Sequence, residues 1–327
     1  MLLTRRHFLT SCGAASAGAL APRALRADAY PSRPIKIIVP YAAGGPNDTI
    51  ARLVSAQAFA QEGASFVVEN IPGGAGNIGT AAAARAPADG YTLVVVTSSF
   101  FINPGLHSKI QYDPVNGFAP VTMVAAAPHV LVVHPLFPAR DVSEFVAAVR
   151  AQPGKYSYAS AGTGQSSHLA GELFKQSTGL DLAHVPFNGA NPAMMSTIAN
   201  HTPVSFISLP AAAAFIKEGR LRALATTGST RSEPFPEIPT MAEGGFADQI
   251  SFFMQGVLLP AKTPTWIVDR WHRELQRIMA LPQVRERVLS LGLEPVVNTP
   301  DEFGAQIRSE VVRWAKVIRQ ARINVTN

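Results

Sequence analysis

The amino-acid sequence predicts an α/β protein with mainly parallel sheets and two domains. Short runs rich in β-branched and aromatic residues alternate with helical patterns, as expected when helices connect neighbouring parallel strands. The chain has 327 residues, which is enough for two domains of ordinary size. The predicted strands cover residues 35–39, 66–69, 92–97, 130–134, 156–160, 184–187, 204–208 and 222–226.

The first 29 residues have the features of an export signal. Residues 5–6 form a twin-arginine pair, residues 14–21 form a short apolar run, and small side chains precede a cleavage position before Tyr30. A cut after Ala27 is the competing position. The apolar run is too short to span a bilayer. We therefore predict that residues 1–29 are a cleaved twin-arginine signal and that the mature chain is exported.

Charge and cysteine content exclude several classes of protein. The net charge of +6 falls to +3 once the four arginines and one aspartate of the signal are removed. That balance is too weak to indicate nucleic-acid binding. Cys12 is the single cysteine and lies in the signal. The mature chain therefore has no disulfide, no cysteine nucleophile and no thiolate metal site.

Two glycine-rich turns are the most informative local feature. Residues 40–48 (PYAAGGPND) and 71–79 (IPGGAGNIG) each follow a short apolar run and precede an alanine-rich helical stretch. Glycines allow successive backbone N–H groups to converge on one oxygen-bearing ligand at a helix N-terminus. Such turns also occur as plain tight turns in α/β proteins. The pair predicts a cradle for an anion, and a carboxylate could bind there without an arginine.

Catalytic, metal and cofactor motifs are weak or absent. Serines and a histidine lie side by side in residues 162–168, but adjacent residues at a helix start point to different faces and do not form a triad. The histidines show no metal-binding spacing. Residues 74–79 match Gly-x-Gly-x-x-Gly, but a proline loop precedes them and Asp89 follows too closely for a dinucleotide site. We predict no enzyme activity, no metal and no cofactor.

The ordered motifs of the chain resemble those of a known family. The sequence is similar to the periplasmic solute-binding proteins of tripartite tricarboxylate transporters, also called the Bug or TctC-like family, over essentially the whole mature chain. The matching segments, each modest alone but specific in this order, are residues 30–35, 44–48, 73–76, 89–92, 158–164, 168–174, 184–189 and 219–225.

The resemblance implies a two-lobed periplasmic binding protein fold of type II, in which two strands cross between the lobes. We place the crossovers near residues 119–127 and 251–259. Lobe one is then 30–124 plus 253–327, and lobe two is 125–252. In such proteins a carboxylate enters the cleft and the lobes close over it by a hinge motion.

The resemblance also implies which residues bind the ligand. In lobe one they are Tyr41, Ala43, Gly44, Gly45, Asp48, Gly74, Gly76 and Asn77, with Ser98 and Ser99 adding hydroxyl groups. In lobe two they are Ser160, Ala161, Gly162, Thr163, His168 and Asn188. Within this set we interpret Asp48 as an acceptor that holds its own turn, because an ionised aspartate would repel a ligand carboxylate.

One stretch departs from the pattern of the resembled family. Its members typically carry an acidic group that could hold an ammonium, where this chain has Ile207. This suggests that the ligand is a carboxylate without an amino group and with an apolar or aromatic body. The alternative interpretation is that Ile207 is a core residue.

The sequence leaves three functions to be distinguished. The resemblance implies a periplasmic receptor that delivers a small organic carboxylate to the membrane subunits of a tripartite tricarboxylate transporter. A second interpretation keeps the fold but has the loaded protein dock on the ectodomain of a two-component sensor kinase. A third is an exported α/β hydrolase or transferase that uses Ser166, Ser167 or His168, against which the missing acid partner argues.

Overall fold

The structure is a computed structural model that describes residues 30–323. The predicted signal and its cleavage site lie outside the described residues. Within residues 30–323, no helix combines the length and the apolar character that a membrane crossing requires.

Strands and helices alternate along the chain as the sequence predicts. The described residues contain the strands β1 (Ile35–Val39), β2 (Phe66–Asn70), β3 (Thr92–Thr97), β4 (Phe118–Val133), β5 (Ser157–Ser160), β6 (Ala183–Pro186), β7 (Val204–Ser208), β8 (Arg222–Thr226), β9 (Phe252–Pro260) and β10 (Glu294–Pro295). The helices are α1 (Pro46–Gln57), α2 (Asn77–Ala84), α3 (Ser99–Leu106), α4 (Val142–Arg150), α5 (Ser166–Thr178), α6 (Ala190–Ile198), α7 (Leu209–Lys217), α8 (Thr265–Met279), α9 (Pro282–Ser290) and α10 (Pro300–Gln320). The α/β class is therefore confirmed.

The strands form a mixed sheet rather than two mainly parallel ones. Their order is β2-β1-β3-β9-β4-β7-β5-β6, and β8 and β10 also pair with β4. The pairs of β1 with β2 and β3, and of β5 with β6 and β7, are parallel. Every pair that involves β4 or β9 is antiparallel. The difference arises because the chain runs out along β4 and returns along β9.

Strand β4 joins the two lobes. Its first part pairs with β9 from Phe118 opposite Pro260 to Pro128 opposite Phe252, and its last part pairs with β7 and β8. We call lobe one the part that contains β1–β3, β9, α1–α3 and α8–α10, and lobe two the part that contains β5–β8 and α4–α7. The lobe boundaries at 124/125 and 252/253 stay a prediction.

Each lobe has apolar cores on both faces of its strands. In lobe one, one core surrounds the buried Trp271 and the other surrounds the buried Trp314. In lobe two, one core contains Phe174 and the other contains Met194. Ile207 belongs to the latter core and is only 1% exposed.

Close packing of α2 against the ends of β1 and β2 brings the two glycine turns together. A Cβ atom on Gly79 would lie 2.7 Å from the carbonyl oxygen of Ile71 and 2.8 Å from Cα of Pro40. These two residues directly follow β2 and β1. Only a glycine therefore lets α2 approach both strand ends.

This approach predicts a contrast between two helical glycines. Gly79→Ala should lower the free energy of unfolding by about 1–3 kcal/mol, because the backbone must move to admit the methyl group. Gly304→Ala, in α10, should be neutral or stabilising by up to about 1 kcal/mol, since its Cβ would meet only ordinary contacts of 3.4 Å or more. Urea unfolding followed by circular dichroism measures both. Equal stability of the two variants would contradict the close approach.

Candidate functional site

Two adjoining cavities lie between the lobes. The first cavity, of about 440 Å³, is lined by Tyr41, Ala42, Gly45, Pro46, Asn47, Ala75, Thr97, Ser98, Ser99, Gln165, Ser166 and Phe253. The second cavity, of about 550 Å³, is lined by Pro46, Asn188, Gly189, Ala190, Asn191, Pro192, Ser208, Pro210, Ala211, Phe253, Leu291 and Leu293. Pro46 and Phe253 border both cavities, so the two spaces form one cleft.

The first glycine turn is held by the carboxylate of Asp48. Gly44 has a φ of +82° and donates its N–H to Asp48 Oδ2 at 2.9 Å. Arg52 Nε donates to the same oxygen at 2.9 Å, and Asn70 Nδ2 donates to Oδ1 at 3.1 Å. The Arg52 hydrogen bond is the largest cause that lowers the pKa of Asp48 to about 2. Asp48 is therefore ionised, and both of its carboxylate oxygens accept hydrogen bonds from within the protein. This fits its interpretation as the acceptor that holds the turn.

The second glycine turn lies under the ring of Tyr41. Four consecutive residues, Gly73 to Gly76, have positive φ angles. A Cβ on Gly76 would lie 2.8 Å from Tyr41 Oη, so a larger residue would push the ring out of place. Tyr41 Oη in turn contacts Thr97 Oγ1 at 2.6 Å. Ala75 is the residue of this turn that lines the first cavity.

The side chain of Asn77 faces the protein. Its Oδ1 accepts hydrogen bonds from Asn103 Nδ2 at 2.8 Å and from Tyr112 Oη at 3.0 Å. Asn103 Nδ2 also donates to the carbonyl of Ala75 at 3.1 Å. These contacts tie the second turn to α3 and fix its backbone.

Strand β9 forms the floor of the first cavity. Gln255 is fully buried, and its Nε2 donates to Asn47 Oδ1. This bond leaves Nδ2 as the free hydrogen-bonding group of Asn47. Ser98 Oγ donates to the carbonyl of Phe252 at 2.8 Å and accepts from the N–H of Met254 at 3.1 Å. Two lining side chains are thus anchored to β9.

The loop of residues 160–168 in lobe two is held by contacts of Ser160 and His168, which are buried, and of His184, which is half-buried. Ser160 Oγ contacts His184 Nε2 at 2.7 Å and accepts the N–H of Gly162 at 3.2 Å. His168 Nδ1 accepts the N–H of Gly164 at 3.0 Å, and its ring stacks on His184 with centroids 3.7 Å apart. Burial is the largest cause that lowers the pKa of His168 to about 3 and that of His184 to about 4.

Ser166, the first residue of α5, borders the first cavity and contacts a buried histidine. Its Oγ lies 3.0 Å from His129 Nε2. His129 Nδ1 contacts the hydroxyl of Ser251 at 3.1 Å rather than a carboxylate. His129 Nδ1 therefore contacts a serine at the place where a catalytic triad has its acid.

Helix N-termini from both lobes converge on the cleft. The first residues of α1, α3 and α5 line the first cavity, and α6 and α7 begin at the second. Among the residues that line either cavity, all of them in the described part of the chain, no Lys, Arg, Asp or Glu occurs. Unpaired N–H groups and the positive ends of helix dipoles favour an anion there.

Some predicted site residues line the cleft and others support it. Tyr41, Gly45, Ser98 and Ser99 line the first cavity, and Asn188 lines the second. The predicted residues outside both linings are Ala43, Gly44, Asp48, Gly74, Gly76, Asn77, Ser160, Ala161, Gly162, Thr163, His168 and Ile207. Burial of Ile207 in the lobe-two core favours the alternative that it is a packing residue.

Sequence reasoning missed several lining residues. Asn47 and Ala75 lie inside the predicted glycine turns, so the turn motifs could have indicated them. Ser166 lies between the predicted binding residues Thr163 and His168, in a stretch whose serines suit helix capping and ligand hydrogen bonds, but it was not itself predicted as a binding residue. Phe253 lies in β9, and its place in the cavity lining depends on the pairing of β9 with β4. Local sequence patterns do not reveal that pairing.

A cleft between two lobes that share crossing strands, with helix N-termini on both walls, defines a periplasmic binding protein. The family model described as the tripartite tricarboxylate transporter family receptor, TctC, matches residues 50–323. The chain therefore belongs to this family. Solved members of the family are periplasmic binding proteins rather than enzymes.

Relatives and solved structures agree with this assignment. The chain is 35% identical over 322 residues to the protein BugT of Bordetella pertussis, with 98% of each chain covered. A Rhodopseudomonas palustris structure with adipate has 30% identity and a TM-score of 0.75, covering 90% of this chain and 99% of the other. The MatC structure from the same organism, with bound malate, has 28% identity and a TM-score of 0.72, covering 88% and 100%.

The lowered pKa of Asp48 predicts a pH-dependent contribution to stability. Because the folded pKa of about 2 lies below the unfolded value near 4, the ionised carboxylate stabilises the fold above about pH 4. This contribution is lost as the pH falls towards 2. Asp48→Asn should cost about 1–2 kcal/mol at pH 7, a value that allows for solvent screening of the exposed Arg52.

Urea unfolding of wild type and Asp48→Asn at pH 7, 4 and 3 measures this contribution, and the difference should shrink at pH 3. Asp269→Asn, at an exposed position of α8, controls for the loss of one charge. A difference between wild type and Asp48→Asn that stays constant with pH would contradict the assigned role.

Proposed function

We propose that the chain captures a small organic carboxylate in the first cavity and delivers it to the membrane subunits of a tripartite tricarboxylate-type transporter. The observation that carries this proposal is the convergence of α1, α3 and α5 on a cavity lined without charged side chains. Backbone N–H groups at helix starts are suited to a carboxylate. Adipate and malate, bound in two related structures, are both carboxylates.

Contacts from both lobes are required for useful affinity. Three or four charge-assisted hydrogen bonds contribute roughly 5–12 kcal/mol in total, whereas association costs at least about 4 kcal/mol. Micromolar binding needs about 8 kcal/mol net. One glycine turn reaches this value only at the upper limit of that range, so donors on α5 and apolar burial are expected to add the rest, which fits a cleft that closes on its ligand.

The second cavity supports a ligand body that carries no amino group. Its apolar lining includes Phe253, Leu291 and Leu293, which suits an aliphatic or aromatic body. The described lining offers no carboxylate to hold an ammonium. This support comes from the cavity lining and does not depend on Ile207.

The family and the predicted export support delivery to a transporter. The family model describes a receptor of tripartite tricarboxylate transporters, and the chain begins with a twin-arginine pattern. In this proposal the lobe-one turns bind the carboxylate, and the loop of residues 160–168 with Asn188 closes the cleft from lobe two.

Introduction of a negative charge into the first cavity tests the proposal. Isothermal titration calorimetry, over carboxylates chosen from a thermal-shift screen, should show binding to the wild-type protein. Asn47→Asp should weaken that binding about 10- to 100-fold, or roughly 1.4–2.8 kcal/mol, because it puts a carboxylate beside the ligand anion.

A matched variant on the same helix separates this effect from net charge. Ala56→Asp adds the same charge at an exposed position near the end of α1 and should bind as the wild type does. Equal affinities of the Asn47→Asp variant and the wild type would exclude the first cavity as the carboxylate site. Failure of the wild type to bind any carboxylate would refute the proposed function.

A further inference from the structure

Ser166 is the residue of α5 that lines the first cavity, next to the N-cap Gln165. A buried network determines what the hydroxyl of Ser166 can offer a ligand. Its partner His129 lies in β4 and is 1% exposed. Burial lowers the pKa of His129 to about 4, so the imidazole is neutral at physiological pH. A neutral imidazole has one N–H donor and one bare nitrogen acceptor, and the partners of the ring decide which is which.

Thr227 fixes the direction of the first hydrogen bonds in this network. Its Oγ1 lies 2.6 Å from the carbonyl of Ser251 and 3.1 Å from that of His129, and carbonyls only accept. The single hydroxyl hydrogen of Thr227 is therefore used on a carbonyl. Its oxygen accepts the N–H of His129 at 2.9 Å and the hydroxyl of Ser251 at 3.1 Å.

Ser251 then fixes the tautomer of His129. Because the hydroxyl hydrogen of Ser251 is donated to Thr227, its oxygen must accept from His129 Nδ1, which lies 3.1 Å away. The ring proton is thus on Nδ1, and Nε2 is bare. The contact of 3.0 Å between Nε2 and Ser166 Oγ is consequently a hydrogen bond donated by Ser166.

Ser166 therefore presents only the lone pairs of its Oγ atom to the cleft. Its hydroxyl hydrogen is committed to His129, so Oγ can accept a hydrogen bond from a ligand but cannot donate one. A carboxylate, which only accepts, does not match this atom. The complementary ligand group is a hydrogen-bond donor, of which a hydroxyl and an ammonium are the simplest on a small organic acid. Helix N-termini surround the site and the described lining has no carboxylate, which disfavours an ammonium.

We propose that Ser166 Oγ is an acceptor for a hydroxyl group of the ligand, and that the ligand is therefore a hydroxycarboxylate. This inference rests on the proposed function, in which the lobe-one turns bind the carboxylate. It adds a specific role for lobe two: Ser166 selects the neighbouring hydroxyl, and His129 acts as a positioning residue that keeps the serine an acceptor.

Pairs of acids that differ by one hydroxyl test the inference directly. The probes are malate with succinate, lactate with propionate, and mandelate with phenylacetate, each measured by isothermal titration calorimetry on the wild-type protein. For each pair with a measurable affinity, the hydroxy acid should bind about tenfold more tightly. Ser166→Ala should weaken the hydroxy acid about three- to tenfold and leave its deoxy partner unchanged.

Ser99→Ala is the matched control, because Ser99 is the first residue of α3 and lines the same cavity from lobe one. It should change both members of a pair by the same factor. Thermal melts confirm the fold of each variant. The comparison on the wild-type protein decides the question even where a variant does not fold.

Three results would overturn the inference. Equal or tighter binding of the deoxy acids refutes the hydroxyl subsite while the carboxylate function stands. Tighter binding of aspartate than of malate, lost in Ser166→Ala, would identify the donor as an ammonium instead. Failure to bind any of these acids refutes the proposed function together with this inference.

Discussion

The antiparallel pairing of β4 with β9 is the constraint on which the cleft depends. It runs from Phe118 opposite Pro260 to Pro128 opposite Phe252, and it carries the chain out of lobe one and back. Because both crossing strands are hydrogen-bonded to each other, the two lobes meet along one continuous sheet. Each lobe begins several helices at this junction. The pairing that joins the lobes thus also positions the donors of the site.

Because the anion site is lined by neutral side chains, its affinity and its specificity come from different groups. Backbone N–H groups at helix starts bind a carboxylate whatever it is attached to. The one acidic side chain at the first turn, Asp48, is held by Gly44, Arg52 and Asn70 and does not compete for the ligand. Selectivity must therefore come from groups that the ligand body meets, which are side chains such as Ser166 and the apolar wall of the second cavity.

The sequence predicted the glycine turns, the strands β1–β3 and β5–β8 and the end of β4, because all of these depend on local residue patterns. The glycine positions follow from local φ requirements. The lining by Phe253 and the contact of His129 with Ser166 could not be predicted, because they join strands and helices far apart in the chain. For Ile207, a departure from the family motif suggested a ligand contact, whereas its side chain is only 1% exposed and belongs to the core that contains Met194, which favours the packing interpretation.

Side chains on both walls are anchored to the crossing strands, and this bears on how the cleft can work. Asn47 is held by Gln255 in β9, and Ser166 is held by His129 in β4. A rotation of one lobe about the crossing strands moves atoms in proportion to their distance from that axis. In the proposed hinge motion, Asn47 and Ser166 are therefore the groups of the cleft that move least, while the rest of the loop of residues 160–168 moves further to close it. Recognition of a carboxylate and its neighbouring hydroxyl therefore requires little prior closure, and the free energy of closing is available to discriminate among ligand bodies.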